Sequence, residues 1–104
     1  MIEQVFRMTV GNEKTIEKVI LDENLHYLHM IFNTGEGTPA HNTNGQLYMT
    51  VVRGTLTITL GEQPPCEYEA DCILKIPHDT PMKAENTRAQ TLELTVVKAP
   101  APAV

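Results

Sequence analysis

Any metal or acid–base chemistry in this chain has to begin at His41, which follows Gly35 by six residues and precedes Gly54 by thirteen. An imidazole nitrogen is a frequent transition-metal ligand, and a neutral imidazole can serve as a general base. Either role needs company: a metal site takes three or four donors, and a base needs a partner that fixes its orientation. The other candidates offer little. His26 and His29 stand three apart, and on a strand such residues point to opposite faces and cannot chelate together. Cys66 and Cys72 are separated by five residues rather than the two of a thiolate knuckle, so both are expected to be free thiols. His78 and Asp79 fall in the run Pro77-His78-Asp79-Thr80-Pro81, whose composition is that of a turn.

The elements that must position His41 follow a period of two. Leu56, Ile58 and Leu60 alternate with Thr55, Thr57 and Thr59, and Leu92, Leu94 and Val96 repeat the rhythm. Leu47, Met49 and Val51 make one face of a further strand, and Arg53-Gly54 after it predicts a β-hairpin with 55–60. Strands are also predicted over 4–10, 15–21, 25–32, 72–76 and 82–85, divided by Gly, Pro, Asn and Asp. Helical spacing never persists. Many short strands in 104 residues predict an all-β sandwich or barrel. One domain is expected over 1–98, with 99–104, Ala-Pro-Ala-Pro-Ala-Val, leaving it as a flexible tail.

Composition narrows the function classes. Thirteen Asp and Glu against eight Lys and Arg give a formal charge of −5, which argues against a nucleic-acid or anionic-membrane partner. The start Met1-Ile2-Glu3-Gln4 has no basic segment leading into an apolar run, and no stretch of eighteen apolar residues occurs, so a cytoplasmic location is expected.

Two spacings carry a family resemblance. Gly35, His41, Thr43, Leu47 and Gly54 stand at the intervals of the first cupin motif. Asp71, Pro77, Asp79, Met82 and Asn86 stand at those of the second, with Pro77 and Asn86 matching in identity. The chain thus resembles the small single-domain cupins of the type-2, RmlC-like group, from about Leu25 to Val97. That resemblance implies a jelly-roll barrel of the double-stranded β-helix type. It also implies four metal positions, which here read His41, Thr43, Leu47 and Met82. Leucine has no donor, a neutral threonine hydroxyl is a poor ligand, and a thioether suits soft Cu(I). The usual metal site is therefore expected to be lost, and no cofactor is expected. A one-residue slip would offer Gln46 in place of Leu47. It would also turn Leu47, Met49 and Val51 out of the interior, at about 1.5–3 kcal/mol for each.

What the resemblance leaves is a barrel mouth lined by His41, Thr43, Leu47, Met49 and Met82, with Tyr48 or Asn86 nearby. These residues either bind a small molecule or simply fill a narrow core. The preferred expectation is a non-catalytic small-molecule-binding or structural barrel. The alternative is a cupin enzyme of dioxygenase, isomerase or epimerase type, with a metal or metal-free site rebuilt around His41 with Tyr48 or His29. The strand 25–32 is apolar on both faces, which calls for a partner outside its own sheet. Small cupins commonly dimerise, and a homodimer is expected, joined through this strand or the amino-terminal one.

Overall fold

The computed structural model describes residues 1–103. Among the described residues there are nine strands: β1 Thr15–Leu21, β2 His26–Phe32, β3 His41–Asn42, β4 Leu47–Arg53, β5 Thr55–Leu60, β6 Cys66–Glu69, β7 Ile73–Ile76, β8 Pro81–Glu85 and β9 Leu92–Lys98. They form a five-stranded sheet in the order β1-β2-β9-β4-β7 and a four-stranded sheet in the order β3-β8-β5-β6. All pairings are antiparallel. This is the expected double-stranded β-helix. Among the described residues no helix is long and apolar enough to cross a membrane.

The alternation read from the sequence selects the core. Leu47, Met49 and Val51 of β4 and Leu92, Leu94 and Val96 of β9 are buried on one side of the larger sheet. Leu56 and Ile58 of β5, with Met82 and Ala84 of β8, belong to the same cluster from the smaller sheet. The slip that would have offered Gln46 does not occur, since β4 pairs with β9 in the register Leu47↔Lys98 to Val51↔Leu94.

Two expectations are corrected. Residues 4–10 alternate like a strand but form none. Their Val5, Phe6, Met8 and Val10 stay 62%, 48%, 41% and 95% exposed, because the segment has no ladder partner and is held by side chains instead. Nor do β4 and β5 make a hairpin: β4 pairs with β7 and β9, β5 with β6 and β8. Arg53-Gly54 is a corner at which the chain passes from one sheet to the other. Gly54 takes φ +79°, and a Cβ there would lie 2.4 Å from the Thr91 carbonyl oxygen, so only glycine suits the corner.

Two bulges adjust which side chains look outward. In β4 the register shifts between Val51 and Arg53, making Val52 the extra residue. Arg53 is thereby opposite Glu93 on the outer face, where strict alternation from Val51 would have turned it inward. In β1 the shift between Lys18 and Ile20 turns both Val19 and Ile20 outward. Beyond Lys98 the chain bends at 99–100, and the Ala99 and Ala101 amides donate to Gln46 O (3.2 Å) and Asn24 O (3.0 Å).

Candidate functional site

The five residues expected at the barrel mouth divide into three environments. Leu47, Met49 and Met82 are 2%, 1% and 6% exposed and pack together in the core cluster. His41 lies on the two-residue edge strand β3, opposite Met82, and is exposed. Its Nδ1 donates to Pro39 O at 2.8 Å. Thr43 is buried but fully engaged: its Oγ1 donates to Pro77 O (2.8 Å) and accepts from the Thr80 amide (2.9 Å). Two backbone bonds, Thr43 N to Thr80 O and Asp79 N to Thr43 O, complete a clamp between two loops.

This donor set does not fit a cupin metal. Leu47 offers no lone pair, the Thr43 hydroxyl is committed to backbone groups, and the Met82 thioether is buried among aliphatic side chains. The residues proposed to rebuild the site do not reach it either. His29 lies between Leu28 and Met30, both core residues, so alternation points it to the outer face of the larger sheet. Tyr48 likewise lies between Leu47 and Met49, with its hydroxyl accepting from Gln46 Nε2 at 2.7 Å. Among the described residues no group of three or more His, Cys, Asp or Glu is arranged to hold a metal.

Two residues at second-motif positions, Asn86 and Asp79, are structural. Asn86 is fully buried, donates through Nδ2 to Phe32 O (3.0 Å) and Gln90 O (2.8 Å), and accepts at Oδ1 from the Arg88 amide (2.9 Å). Asp79 adopts φ +59° and accepts from Asn42 Nδ2 at 2.9 Å, in keeping with a turn role. Beside His41 the rim holds an open depression of about 370 Å³, which Asn42, Thr59, Gly61, Met82 and Lys83 also line.

Sequence reasoning missed a polar network on the opposite side. His29 is 0% exposed, and its Nδ1 and Nε2 each lie 2.6 Å from a carboxylate, Glu17 Oε2 on β1 and Glu93 Oε2 on β9. Each ring nitrogen thus has a carboxylate of its own within hydrogen-bond distance. Arg53 Nε donates to Glu93 Oε1 at 2.9 Å, while the rest of its guanidinium holds Asn12 Oδ1 and Gly11 O. Glu17 also accepts from the amide and hydroxyl of Thr9 (both 2.9 Å). The His29 hydrogen bond, followed by that from the Thr9 amide, holds the Glu17 carboxyl below its ordinary range. The network therefore fastens residues 9–12 over the outer face of β1 and β2. The only signal in the sequence was a histidine inserted into an apolar strand.

Comparison with known proteins fits this geometry. The chain is 32% identical over 103 residues to the uncharacterised protein MJ0764 of Methanocaldococcus jannaschii, covering 98% of this chain and 89% of that one. The crystal structure of MJ0764, an RmlC-like cupin family protein with a double-stranded β-helix fold, superposes with a TM-score of 0.93 over 96% of this chain and 93% of that one. An RmlC-like cupin protein from Desulfovibrio desulfuricans shares the fold at TM-score 0.77 and 21% identity, over 97% and 98% of the two chains. A cupin superfamily protein from Desulfitobacterium hafniense does so at 0.75 and 12%, over 89% and 83%. No family model matches the chain. The chain belongs to the RmlC-like cupin family.

Proposed function

We propose that this chain is a non-catalytic cupin barrel that works as a cytoplasmic homodimer, using its rim rather than its interior for any small ligand. One observation carries the reading: the positions where the family's motif places ligands hold an exposed histidine, a threonine tied to backbone and two core side chains. An interior occupied by Leu47, Met49 and Met82 is a packed core, in which a ligand would have to displace side chains. The depression beside His41 has mostly apolar walls, with Asn42, Thr59 and Lys83 among its lining residues, a balance suited to weak recognition of a small molecule. The enzyme reading would need a second imidazole or a carboxylate facing His41, and the two residues expected to rebuild the site with it, His29 and Tyr48, belong to the other face of the larger sheet.

Elemental analysis of the purified, untagged protein beside His41→Ala tests this. The expected result is no stoichiometric metal in either. Near-stoichiometric Zn, Fe, Ni, Mn or Cu that disappears in His41→Ala would overturn the proposal and favour an enzyme.

A further inference from the structure

Three basic side chains meet on the inner face of the larger sheet, at the end where β2 begins and β9 stops. The register sets Leu21, His26, Lys98 and Leu47 in one row across β1, β2, β9 and β4. Lys98 follows the buried Leu94 and Val96 on β9, and His26 precedes the buried Leu28 and Met30 on β2, so alternation points both inward. Residues directly opposite on neighbouring strands have Cβ atoms about 5 Å apart. Lys18, opposite Leu28 and diagonal to His26, brings a second ammonium from β1. Lys18 is exposed while His26 and Lys98 are half-buried, so the group opens to solvent. Burial, and then the charge of Lys18, holds the Lys98 ammonium below its ordinary range, so the two cations feel each other.

The rest of the chain does not neutralise this group, although it has carboxylates to spare. Thirteen Asp and Glu face eight Lys and Arg, and Arg53, Lys83 and Arg88 are paired with Glu93, Glu85 and Glu67. Among the described residues no carboxylate stands within ion-pair distance of Lys18, His26 or Lys98. Asp22 is near enough to feel a charge on His26, but its Oδ1 accepts from the amides of Asn24 (2.8 Å) and Leu25 (3.0 Å). Lys98 donates to a neutral group instead, Asn44 Oδ1 at 2.8 Å. An ammonium has three donors, so others remain for a ligand. Like charges crowded across strands and partly removed from water destabilise a sheet, and such a cluster marks a candidate binding site.

The backbone around the group is fixed before any ligand arrives. Asp22 caps the turn into β2, the Ala101 amide donates to Asn24 O at 3.0 Å, and the Ala99 amide donates to Gln46 O at 3.2 Å. Three segments are thereby tied together at the end of the barrel, which lowers the ordering cost of binding there.

We propose that Lys98, His26 and Lys18 bind a small oxyanion, a phosphate or carboxylate group, at this end of the larger sheet. The two ammoniums supply charge, and the imidazole supplies an N–H donor in every protonation state. The net charge of −5 repels extended polyanions, so the ligand is a small one. None of the three lines the depression beside His41, so the inference stands apart from ligand binding there.

NMR titration of the ¹⁵N-labelled full chain with inorganic phosphate and, separately, with succinate tests it, against sodium chloride matched in ionic strength. Lys98→Gln and Lys18→Gln each remove one charge. Lys75→Gln is the control, since that ammonium lies 5.9 Å from the Tyr48 ring on the outer face. Circular dichroism checks that each variant folds. The expected result is saturable shifts centred on the amides of His26, Asn44 and Lys98 with at least one of the two anions. The affinity should fall roughly ten-fold or more in Lys98→Gln and in Lys18→Gln, and stay within about two-fold in Lys75→Gln. Binding of phosphate alone would assign a phosphate ligand, and of succinate alone a carboxylate. Shifts no larger than those with chloride, shifts centred elsewhere, or an affinity that Lys98→Gln leaves unchanged would each overturn the proposal.

Discussion

Replacing His29 with leucine tests whether the outer-face network stabilises this barrel. The ring is fully buried, and its two carboxylate partners are 27% (Glu17) and 18% (Glu93) exposed at the side chain. Removing one member of a buried ionic group costs about 3–5 kcal/mol, because the remaining charges lose their compensation. Both carboxylates reach some water, and the new leucine keeps part of the apolar packing, so the loss should fall to about 2–3 kcal/mol. For a domain of this size that is a drop of roughly 10–20 °C in Tm. Urea unfolding followed by far-UV circular dichroism is the suitable assay, at one fixed protein concentration because any self-association couples to stability. The sign of the pH dependence follows from Glu17, whose pKa is lowered from an ordinary 4.5 in the folded state. Its stabilisation is complete above that value and is lost as pH falls through the depressed folded value. The gap between wild type and His29→Leu should therefore narrow in acid, as pH falls through the lowered Glu17 value. Adding Glu17→Gln to His29→Leu should recover part of the loss, since the Glu17 charge, left with only its Thr9 hydrogen bonds, is then removed. A His29→Leu protein within about 0.5 kcal/mol of wild type at pH 7 would refute the reasoning.

Two further substitutions test the loops that frame the rim. Asn86→Ala strips hydrogen bonds from Phe32 O, Gln90 O and the Arg88 amide inside a buried site. It should cost about 2–4 kcal/mol in urea unfolding, and a loss under 1 kcal/mol would show that water replaces the amide. Gly54→Ala must hold a left-handed residue with its Cβ against the Thr91 carbonyl, so a loss of about 2 kcal/mol or more is expected in thermal melts; an unchanged Tm would mean that the corner relaxes freely.

Strands with several apolar residues on one face were legible because alternation reports directly on burial. β6 was not: of its four residues only Tyr68 packs against the core, and one apolar residue makes no period. β3 is two residues long and polar. Residues 4–10 show the reverse limit, since a period of two says which side chains share a face but not whether a ladder partner exists. The β4–β5 corner was read as a hairpin because Arg-Gly suits either turn, and what decides is the sheet each strand joins. At the site, the loss of the ligand set was readable residue by residue from Thr43, Leu47 and Met82. That Thr43 would be tied to Pro77 and Thr80 was not, nor that His29 would meet Glu17 and Glu93, because partners 12 and 64 residues away are set by sheet order and register.

The extra residue at Val52 also selects among the possible alignments of β4 with β9. Because Arg53 reaches the outer face only through that bulge, any pairing of β4 with β9 that omits it carries a guanidinium into the layer of Leu92 and Leu94. Uncompensated, that burial costs several kcal/mol, as much as the correct pairing of a few side chains gains. The charge therefore works as a proofreader of strand alignment: a register without the bulge is disfavoured relative to the native one.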